Sequence, residues 1–160
     1  MIVRVLSKDH FDTVLPRMCI DNLNVEEHSD KAFISITDGD KEDIHYFDKD
    51  YQNVLNLEFD DASDEENQRR IKLGLRELIL FTREQGEQII DFLEKNKSIE
   101  TLYVHCLAGR SRSGAVGTFA NDVYGAETFY EFCNSNPTIM PNYFILALLK
   151  RVYNGVSDED

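Results

Sequence analysis

One ten-residue segment places a cysteine and an arginine in a short loop of small residues. His105 and Cys106 end an apolar run, and Arg112 opens a stretch of small residues that continues to Tyr124. The order strand, loop, helix brings backbone N–H groups and the positive end of a helix dipole to the loop, an arrangement that binds anions. These surroundings favour the thiolate form of a cysteine. A thiolate beneath a bound phosphate is a nucleophile directed at phosphorus.

The other residues of this segment have chemistry that fits such a cradle. The guanidinium of Arg112 can grip two phosphoryl oxygens at once, which lysine cannot do. Ser113 can donate a hydrogen bond to the sulfur, and His105 can orient the loop from behind. Arg110 is expected to point outward, toward substrate or toward solvent. The residues expected to hold the phosphate are Leu107, Ala108, Gly109, Arg110, Ser111 and Arg112.

Each of these residues also has an ordinary structural interpretation. A free cysteine is most often a small buried apolar residue. A cysteine followed by an arginine six positions later can also arise by chance from composition alone. Ser113 is also compatible with a plain polar position in a helix. The histidine before Cys106, Gly109 within the loop, Gly114 after it and the flanking elements together favour the catalytic interpretation.

Expulsion of an alkoxide or phenolate from a phosphate ester is easier when a carboxylic acid protonates it. Three aspartates, Asp60, Asp61 and Asp64, lie in the loop that follows the third predicted strand. Aspartates before a helix are also common N-terminal caps. One of the three can therefore supply the proton while another caps the following helix.

The pattern along the chain predicts an α/β fold. Predicted strands cover 1–6, 32–37, 53–59 and 101–105, and predicted helices cover 8–18, 64–80, a segment after Thr82, 111–124, 126–134 and 143–153. Thr82 and Gln85 have the spacing of a capping box. Alternation of strands and helices favours a mainly parallel central sheet with helices on both faces. In such sheets ligands bind at the carboxyl ends of strands, so Cys106 and the Asp60–Asp61 pair should share one edge.

Composition limits the classes of function. The length of 160 residues predicts one domain over 1–154, followed by an acidic tail at 155–160. The formal net charge of −13 argues against nucleic-acid and anionic-membrane partners. Three cysteines at unrelated spacings predict no disulfide framework and a reducing, cytoplasmic location. We expect no metal and no cofactor, and the sequence gives no indication of oligomeric state.

Two segments resemble the protein tyrosine and dual-specificity phosphatase superfamily. The run 104–114 resembles its phosphate-binding signature, and 57–61 (Leu-Glu-Phe-Asp-Asp) resembles the general-acid loop of its compact members. Phe81 to Gln85 and the late Pro141–Asn142 are similar to small bacterial and phage-type tyrosine phosphatases. The resemblance implies a dual-specificity-phosphatase-like fold and a metal-free, two-step reaction through a phosphocysteine.

The resemblance also implies roles for the aspartates. The second aspartate of the acid loop is the donor in compact members, which indicates Asp61, with Asp60 second and in a supporting position. Asp61 precedes Cys106 by 45 residues, a longer separation than usual, so 62–78 is interpreted as an insertion that forms a lid or contacts substrate.

Several substrates remain open at this level. A phosphorylated protein is the first expectation, and a phosphoinositide or an RNA 5′-phosphate is the alternative. A non-catalytic phosphate-binding module is a further alternative, which the intact pair of Cys106 and Arg112 disfavours. Low-molecular-weight phosphatases and arsenate reductases are also disfavoured, because their cysteine lies near the N-terminus.

Overall fold

The sheet of the protein is parallel throughout. The computed structural model describes residues 1–40 and 44–159. The strands occur in the spatial order β1-β4-β2-β3, so β4 lies between β1 and β2. This arrangement puts the carboxyl end of every strand at one edge, as the α/β prediction requires. The four strands are β1 (Ile2–Ser7), β2 (Lys31–Thr37), β3 (Val54–Glu58) and β4 (Thr101–Cys106).

Helices connect the strands and cover both faces of the sheet. They are α1 (Lys8–Arg17), α2 (Asp64–Lys72), α3 (Arg83–Lys95), α4 (Arg112–Tyr124), α5 (Phe129–Ser135) and α6 (Tyr143–Tyr153), with one 3-10 turn at Val25–Glu27. The predicted capping box of Thr82 and Gln85 is present at the start of α3. Within residues 1–40 and 44–159, no helix is long and apolar enough to cross a membrane.

Two apolar clusters fix the sheet between its layers. On one face, α3, α4 and α6 bury side chains such as Ile89, Phe119 and Leu149 against the strands. On the other face, Phe11 of α1 packs with Phe33 of β2 and with the segment that follows β2. Burial of aliphatic and aromatic area on both faces is the main stabilising contribution in such a three-layer fold. The prediction of helices on both faces is confirmed.

The predicted helix over 64–80 is wrong in its second half. Helix α2 ends at Lys72, and Gly74 has a positive φ of 69°, a backbone conformation that glycine adopts without strain. Leu78 N–H then donates to Asn67 Oδ1 at 2.7 Å, so the returning chain closes on the helix. Apolar residues at 75–80 had suggested a continued helix, but the glycine turns the chain back.

Other boundaries differ by smaller amounts. Helix α1 ends at Arg17, one residue before the predicted end, and Pro16 lies inside its last turn. Helix α5 begins at Phe129 and not at 126, because Thr128 caps it. The segment 41–50, which the sequence pattern assigns to no strand or helix, falls partly outside the described residues. The acidic tail is in contact with the body, since Arg83 donates to Val156 O at 2.8 Å and to Asp158 Oδ1 at 3.2 Å.

Candidate active site

The carboxyl ends of three neighbouring strands form one pocket. Cys106 is the last residue of β4, Asp61 follows β3 by three residues, and Asp38 follows β2 directly. The pocket has a volume of about 450 Å³. It is lined by Asp61, Cys106, Leu107, Ala108, Arg110, Ser111, Arg112 and Met140. The structure therefore brings together the cysteine, the arginine and one aspartate that the sequence analysis selected.

Backbone hydrogen bonds hold the loop after Cys106 from its outer side. The N–H of Lys8 donates to the Leu107 carbonyl at 3.1 Å. The N–H groups of Met140 and Asn142 donate to the carbonyls of Arg110 and Ser111, both at 3.0 Å. In a planar trans peptide the C=O and the next N–H point in opposite directions. With these carbonyls turned outward, the N–H groups that follow them point to the concave side, where an anion would bind.

Gly109 allows this loop to approach the sheet closely. Its φ is 68°, in the left-handed region. A Cβ at this position would lie 2.4 Å from Ser7 N and 2.7 Å from Leu6 O, far inside contact distance. Both the backbone conformation and the lack of space require glycine here.

The N-terminus of α4 is free to bind a ligand. Ser7, Ser63, Thr82, Thr128 and Asn142 accept an N–H bond at the start of the other five helices in the described part of the chain. Ser111, at the same position of α4, makes no such bond. Its hydroxyl donates instead to Asp61 Oδ1 at 2.7 Å. The unpaired N–H groups of the first turn and the helix dipole therefore face the loop.

Cys106 lies at the base of this cradle. It is 2% exposed, and its Sγ is 3.0 Å from Ser113 Oγ. Ser113 is buried in the first turn of α4 and can donate to the sulfur, as the sequence analysis expected. Burial of the sulfur leaves the pocket mouth as its route to a substrate.

Arg112 is fixed along one edge of its guanidinium. It is 5% exposed, and its Nη1 donates to Asp38 Oδ1 at 2.7 Å and to Phe59 O at 3.0 Å. Its Nε is buried and has no hydrogen-bond partner among the described residues. A buried donor without a partner is costly. The Nε edge can bind phosphoryl oxygens while Asp38 and Phe59 hold the other edge.

The three candidate aspartates have different surroundings. Asp61 is exposed at the pocket and accepts from Ser111 Oγ and from Asn142 Nδ2 at 2.9 Å. Asp60 is buried, with Oδ1 accepting from Gly39 N–H and Oδ2 from Ile79 N–H. Asp64 lies in the first turn of α2, one residue after the Ser63 cap. Asp61 therefore lines the pocket, whereas Asp60 is held by backbone donors behind it.

His105 supports the loop from behind through a buried chain of hydrogen bonds. Its Nδ1 lies 3.3 Å from Cys106 O, and its Nε2 lies 2.6 Å from Ser35 Oγ. Ser35 Oγ also forms a hydrogen bond with His45 Nδ1 at 2.7 Å, and His45 Nε2 lies 3.0 Å from Glu58 Oε1. Since a carbonyl only accepts, Nδ1 of His105 is its donor nitrogen. Burial lowers the pKa of His105 to about 4, so the ring is neutral at pH 7.

Arg110 and the rim residues surround the opening. Arg110 is exposed, and its Nη2 donates to Met140 Sδ at 3.0 Å. Leu107 and Met140 are more than half exposed beside it. Arg110 therefore points to the rim, as the sequence analysis expected.

Sequence reasoning missed three residues that organise this site. Asp38 was not selected as a site residue, although it follows a parallel strand at the edge where Cys106 and Asp61 lie. That position was a usable signal. Asn142, which contacts Asp61, was noted only within the Pro141–Asn142 resemblance and without a role. Ser35, which contacts His105, comes from a distant segment, and no local pattern marks it.

Across residues 1–40 and 44–159, no group of three or more histidine, cysteine or acidic side chains is arranged to hold a metal ion.

Solved structures of phosphatases and of a phosphatase-like protein align with this chain. The crystal structure of PTPMT1 in complex with PI(5)P aligns with a TM-score of 0.50 at 16% identity, covering 96% of this chain and 91% of that chain. The crystal structure of Tk-PTP in the active form aligns with a TM-score of 0.47 at 16% identity, covering 82% and 84%. The human tyrosine phosphatase-like serine/threonine/tyrosine-interacting protein aligns with a TM-score of 0.41 at 19% identity, covering 82% and 80%.

The likeness establishes the fold of the tyrosine and dual-specificity phosphatase class for this chain. No protein-family model and no curated protein sequence matches it. At 16% identity the alignment gives architecture and leaves chemistry to the residues of the pocket.

Proposed function

We propose that this chain is a cysteine-dependent phosphomonoesterase that acts on phosphorylated proteins through a phosphocysteine intermediate. One observation supports the proposal: Cys106, Arg112 and Ser111 line one pocket, where the Nε of Arg112 has no partner among the described residues and the N-terminus of α4 has no side-chain cap. The guanidinium and the free N–H groups of the helix favour a bound tetrahedral oxyanion, and Cys106 would then lie beside its phosphorus as the nucleophile.

In the first step the Cys106 thiolate attacks phosphorus in line. A new S–P bond forms while the bond from phosphorus to the ester oxygen breaks. Arg112 and the loop N–H groups hold the three equatorial oxygens, where charge develops in the transition state. Asp61, as the neutral acid, gives its proton to the departing oxygen, so the alcohol or phenol leaves uncharged.

In the second step water hydrolyses the thiophosphoryl enzyme. Asp61, now a carboxylate, takes one proton from the attacking water, and the S–P bond breaks to return the thiolate and inorganic phosphate. Ser113 Oγ, 3.0 Å from Sγ, is placed to donate to the sulfur as negative charge returns to it. Asp38 and Phe59 O keep the guanidinium in place through both steps.

A phosphoprotein is the substrate class that we propose first. The net charge of −13 disfavours RNA and anionic bilayers as partners. A phosphoinositide is the second candidate, because the structure of PTPMT1, which shares the fold, is a complex with PI(5)P. A cytoplasmic, reducing location belongs to the same proposal, since the nucleophilic sulfur must stay reduced.

The test compares the wild type with Cys106→Ser and Arg112→Lys on an aryl phosphate and on phosphotyrosine and phosphoserine peptides. We expect Cys106→Ser to abolish turnover while phosphate still binds. Arg112→Lys should lose both binding and turnover, because lysine cannot present a fork. Near wild-type turnover by Cys106→Ser would refute the nucleophile assignment. Phosphate binding without turnover by the wild type would favour a non-catalytic binding module.

A further inference from the structure

The segment between Asp60 and Phe81 forms an arm that is closed on itself. Its base is fastened by Asp60 N–H donating to Ile79 O at 2.7 Å and by Ile79 N–H donating to Asp60 Oδ2 at 2.8 Å. Asn67 is the one buried residue of α2, and its Oδ1 accepts from Leu78 N–H. These hydrogen bonds within the arm hold it in shape, and the other residues of α2 are left at least partly exposed to solvent.

The far end of the arm carries both basic and aliphatic side chains at its surface. We call residues 69–76 the tip. Arg69 and Arg76 have side chains 69% and 50% exposed. Leu73 is 69% exposed, so its aliphatic side chain is open to contact with a partner. The tip consists of Arg69, Arg70, Ile71, Lys72, Leu73, Gly74, Leu75 and Arg76.

The charge of the tip contrasts with that of the whole chain. Four cations and no acid lie in these eight residues, within a protein of net charge −13. Arg69 faces Glu65 at 3.5 Å in an exposed pair, which contributes little. The half-exposed side chain of Arg76 reaches back to the buried Asp60 at 3.7 Å, a distance longer than a hydrogen bond, so a ligand can replace either contact. An acidic ligand is therefore complementary in charge to the tip.

The base of the arm lies at the candidate active site. Asp61 accepts from Ser111 of the cradle, and Ala62 O accepts from Asn142 Nδ2 at 3.2 Å. Helix α2 has nine residues and thus a length of about 13 Å. An extended peptide covers that distance in about four residues. A peptide with its phosphate in the cradle can reach the tip with residues about four to six positions away.

We propose that the tip binds an acidic segment of the phosphoprotein substrate, to one side of the phosphorylated residue. Arg69, Arg70, Lys72 and Arg76 would pair with its carboxylates, and Ile71, Leu73 and Leu75 would contact its aliphatic side chains. This inference rests on the proposed function and adds a substrate class to it. A peptide fits better than a bilayer, because a flat anionic surface would also approach the acidic first turn of α2, Asp64 to Glu66.

The experiment uses two matched double variants. Arg69→Gln/Lys72→Gln removes two cations from the last turn of α2, and Lys95→Gln/Lys97→Gln removes two at and just beyond the end of α3. Both pairs are exposed, and both include a residue paired with an acid four positions earlier. The substrates are phosphotyrosine peptides with glutamate and leucine, or with serine, four to six positions before or after the phosphate, and p-nitrophenyl phosphate.

The wild type should hydrolyse one acid-flanked peptide with a kcat/KM about tenfold above the serine-flanked peptide. The tip variant, Arg69→Gln/Lys72→Gln, should lose this tenfold preference, because two exposed ion pairs between the tip and the peptide account for roughly that factor. Its rate on p-nitrophenyl phosphate should not change, and the control variant should retain the preference. Leu73→Ser/Leu75→Ser should weaken binding of the same peptide when it contains leucine.

Other results would overturn the proposal. Equal rates on acidic and neutral peptides, or equal losses in both double variants, would show that the tip does not select substrate. Tip-dependent binding to phosphatidylserine vesicles without a peptide preference would assign the tip to a membrane. Peptide binding is also measured by fluorescence anisotropy with Cys106→Ser, which requires no turnover. Absence of turnover in the wild type would count against the proposed function, and the binding data would still test the tip.

Discussion

At the scale of single residues, two adjacent aspartates have opposite surroundings. Asp60 is buried and accepts from backbone N–H groups of Gly39 and Ile79, so it organises the loops. Asp61 is exposed at the pocket and accepts from side chains of Ser111 and Asn142. A fixed, exposed carboxyl can exchange protons with a substrate, whereas a buried structural carboxylate is committed to its donors.

Asp61→Asn should therefore lower kcat by roughly 10²- to 10⁴-fold at neutral pH. Asparagine keeps an oxygen for Ser111 and Asn142, so the loop geometry should persist while the proton is lost. The loss should be greater on phosphotyrosine than on p-nitrophenyl phosphate, because nitrophenolate leaves readily without a proton. Steady-state kinetics on both substrates measure this difference.

Asp60→Asn is the matched control. It replaces one acceptor of a backbone N–H by an NH₂ group, which should lower stability by about 1–3 kcal/mol. Its kcat on an aryl phosphate should stay near that of the wild type. A larger kcat loss from Asp60→Asn, or from Asp64→Asn, would transfer the acid role to that residue.

His105 should make folding stability depend on pH. Burial lowers its pKa from 6.5 to about 4 in the folded protein. The unfolded chain therefore binds a proton at a higher pH than the folded protein does, and the folded state loses stability as pH falls from 6.5 to 4. The full difference is on the order of 3 kcal/mol.

Urea denaturation from pH 7 to pH 4 measures this dependence. His105→Asn removes the titrating group, so its stability should change less over the same interval even though its absolute stability is lower. His10→Asn, at an exposed position of α1, is the matched control substitution. An unchanged slope in His105→Asn would show that another group controls the acid sensitivity.

At the scale of elements, the cradle depends on one close approach between a loop and a strand. Gly109→Ala introduces a left-handed alanine and a Cβ within 2.4 Å of Ser7 N. The strain is of order 1–3 kcal/mol, and the loop must also move. Since a displacement near 1 Å can cost 10²-fold in rate, kcat/KM on an aryl phosphate should fall by about that factor.

Gly74→Ala separates strain from displacement. Gly74 has a φ of 69°, close to that of Gly109, but no atom lies within 4 Å of its added Cβ. Its alanine variant should show the cost of the conformation as a lower unfolding midpoint, with normal turnover of the aryl phosphate. Equal losses of turnover in both variants would contradict the role assigned to the Gly109 contact.

The elements also show what the sequence could predict. Strand and helix periods, the capping box at Thr82 and the Cys106 loop were all predictable, because each depends on neighbours in the chain. The end of α2 was not, because Gly74 and the Asn67 contact outweigh the apolar residues that follow. The Asp38–Arg112 pair joins residues 74 positions apart, and only the sheet order brings them together.

At the scale of the whole molecule, the net charge of −13 should weaken the folded state at low salt. Compaction brings the acidic residues of a chain with 30 Asp and Glu and 17 Lys and Arg closer together. Several described ion pairs are exposed, such as Lys95 with Asp91, and contribute little. Repulsion should therefore exceed attraction in the salt-dependent part of stability.

Raising NaCl from 10 to 300 mM should consequently increase the free energy of unfolding, by about 1 kcal/mol as the Debye length falls from roughly 30 Å to below 8 Å. Chloride is preferred to sulfate or phosphate, which would bind the cradle and stabilise the protein by ligation. Glu26→Gln/Glu27→Gln, at exposed positions of the 3-10 turn, should reduce the salt slope. A fall in stability with NaCl would mean that the ion pairs, Asp38 with Arg112 foremost among them, outweigh the repulsion of the acidic surface.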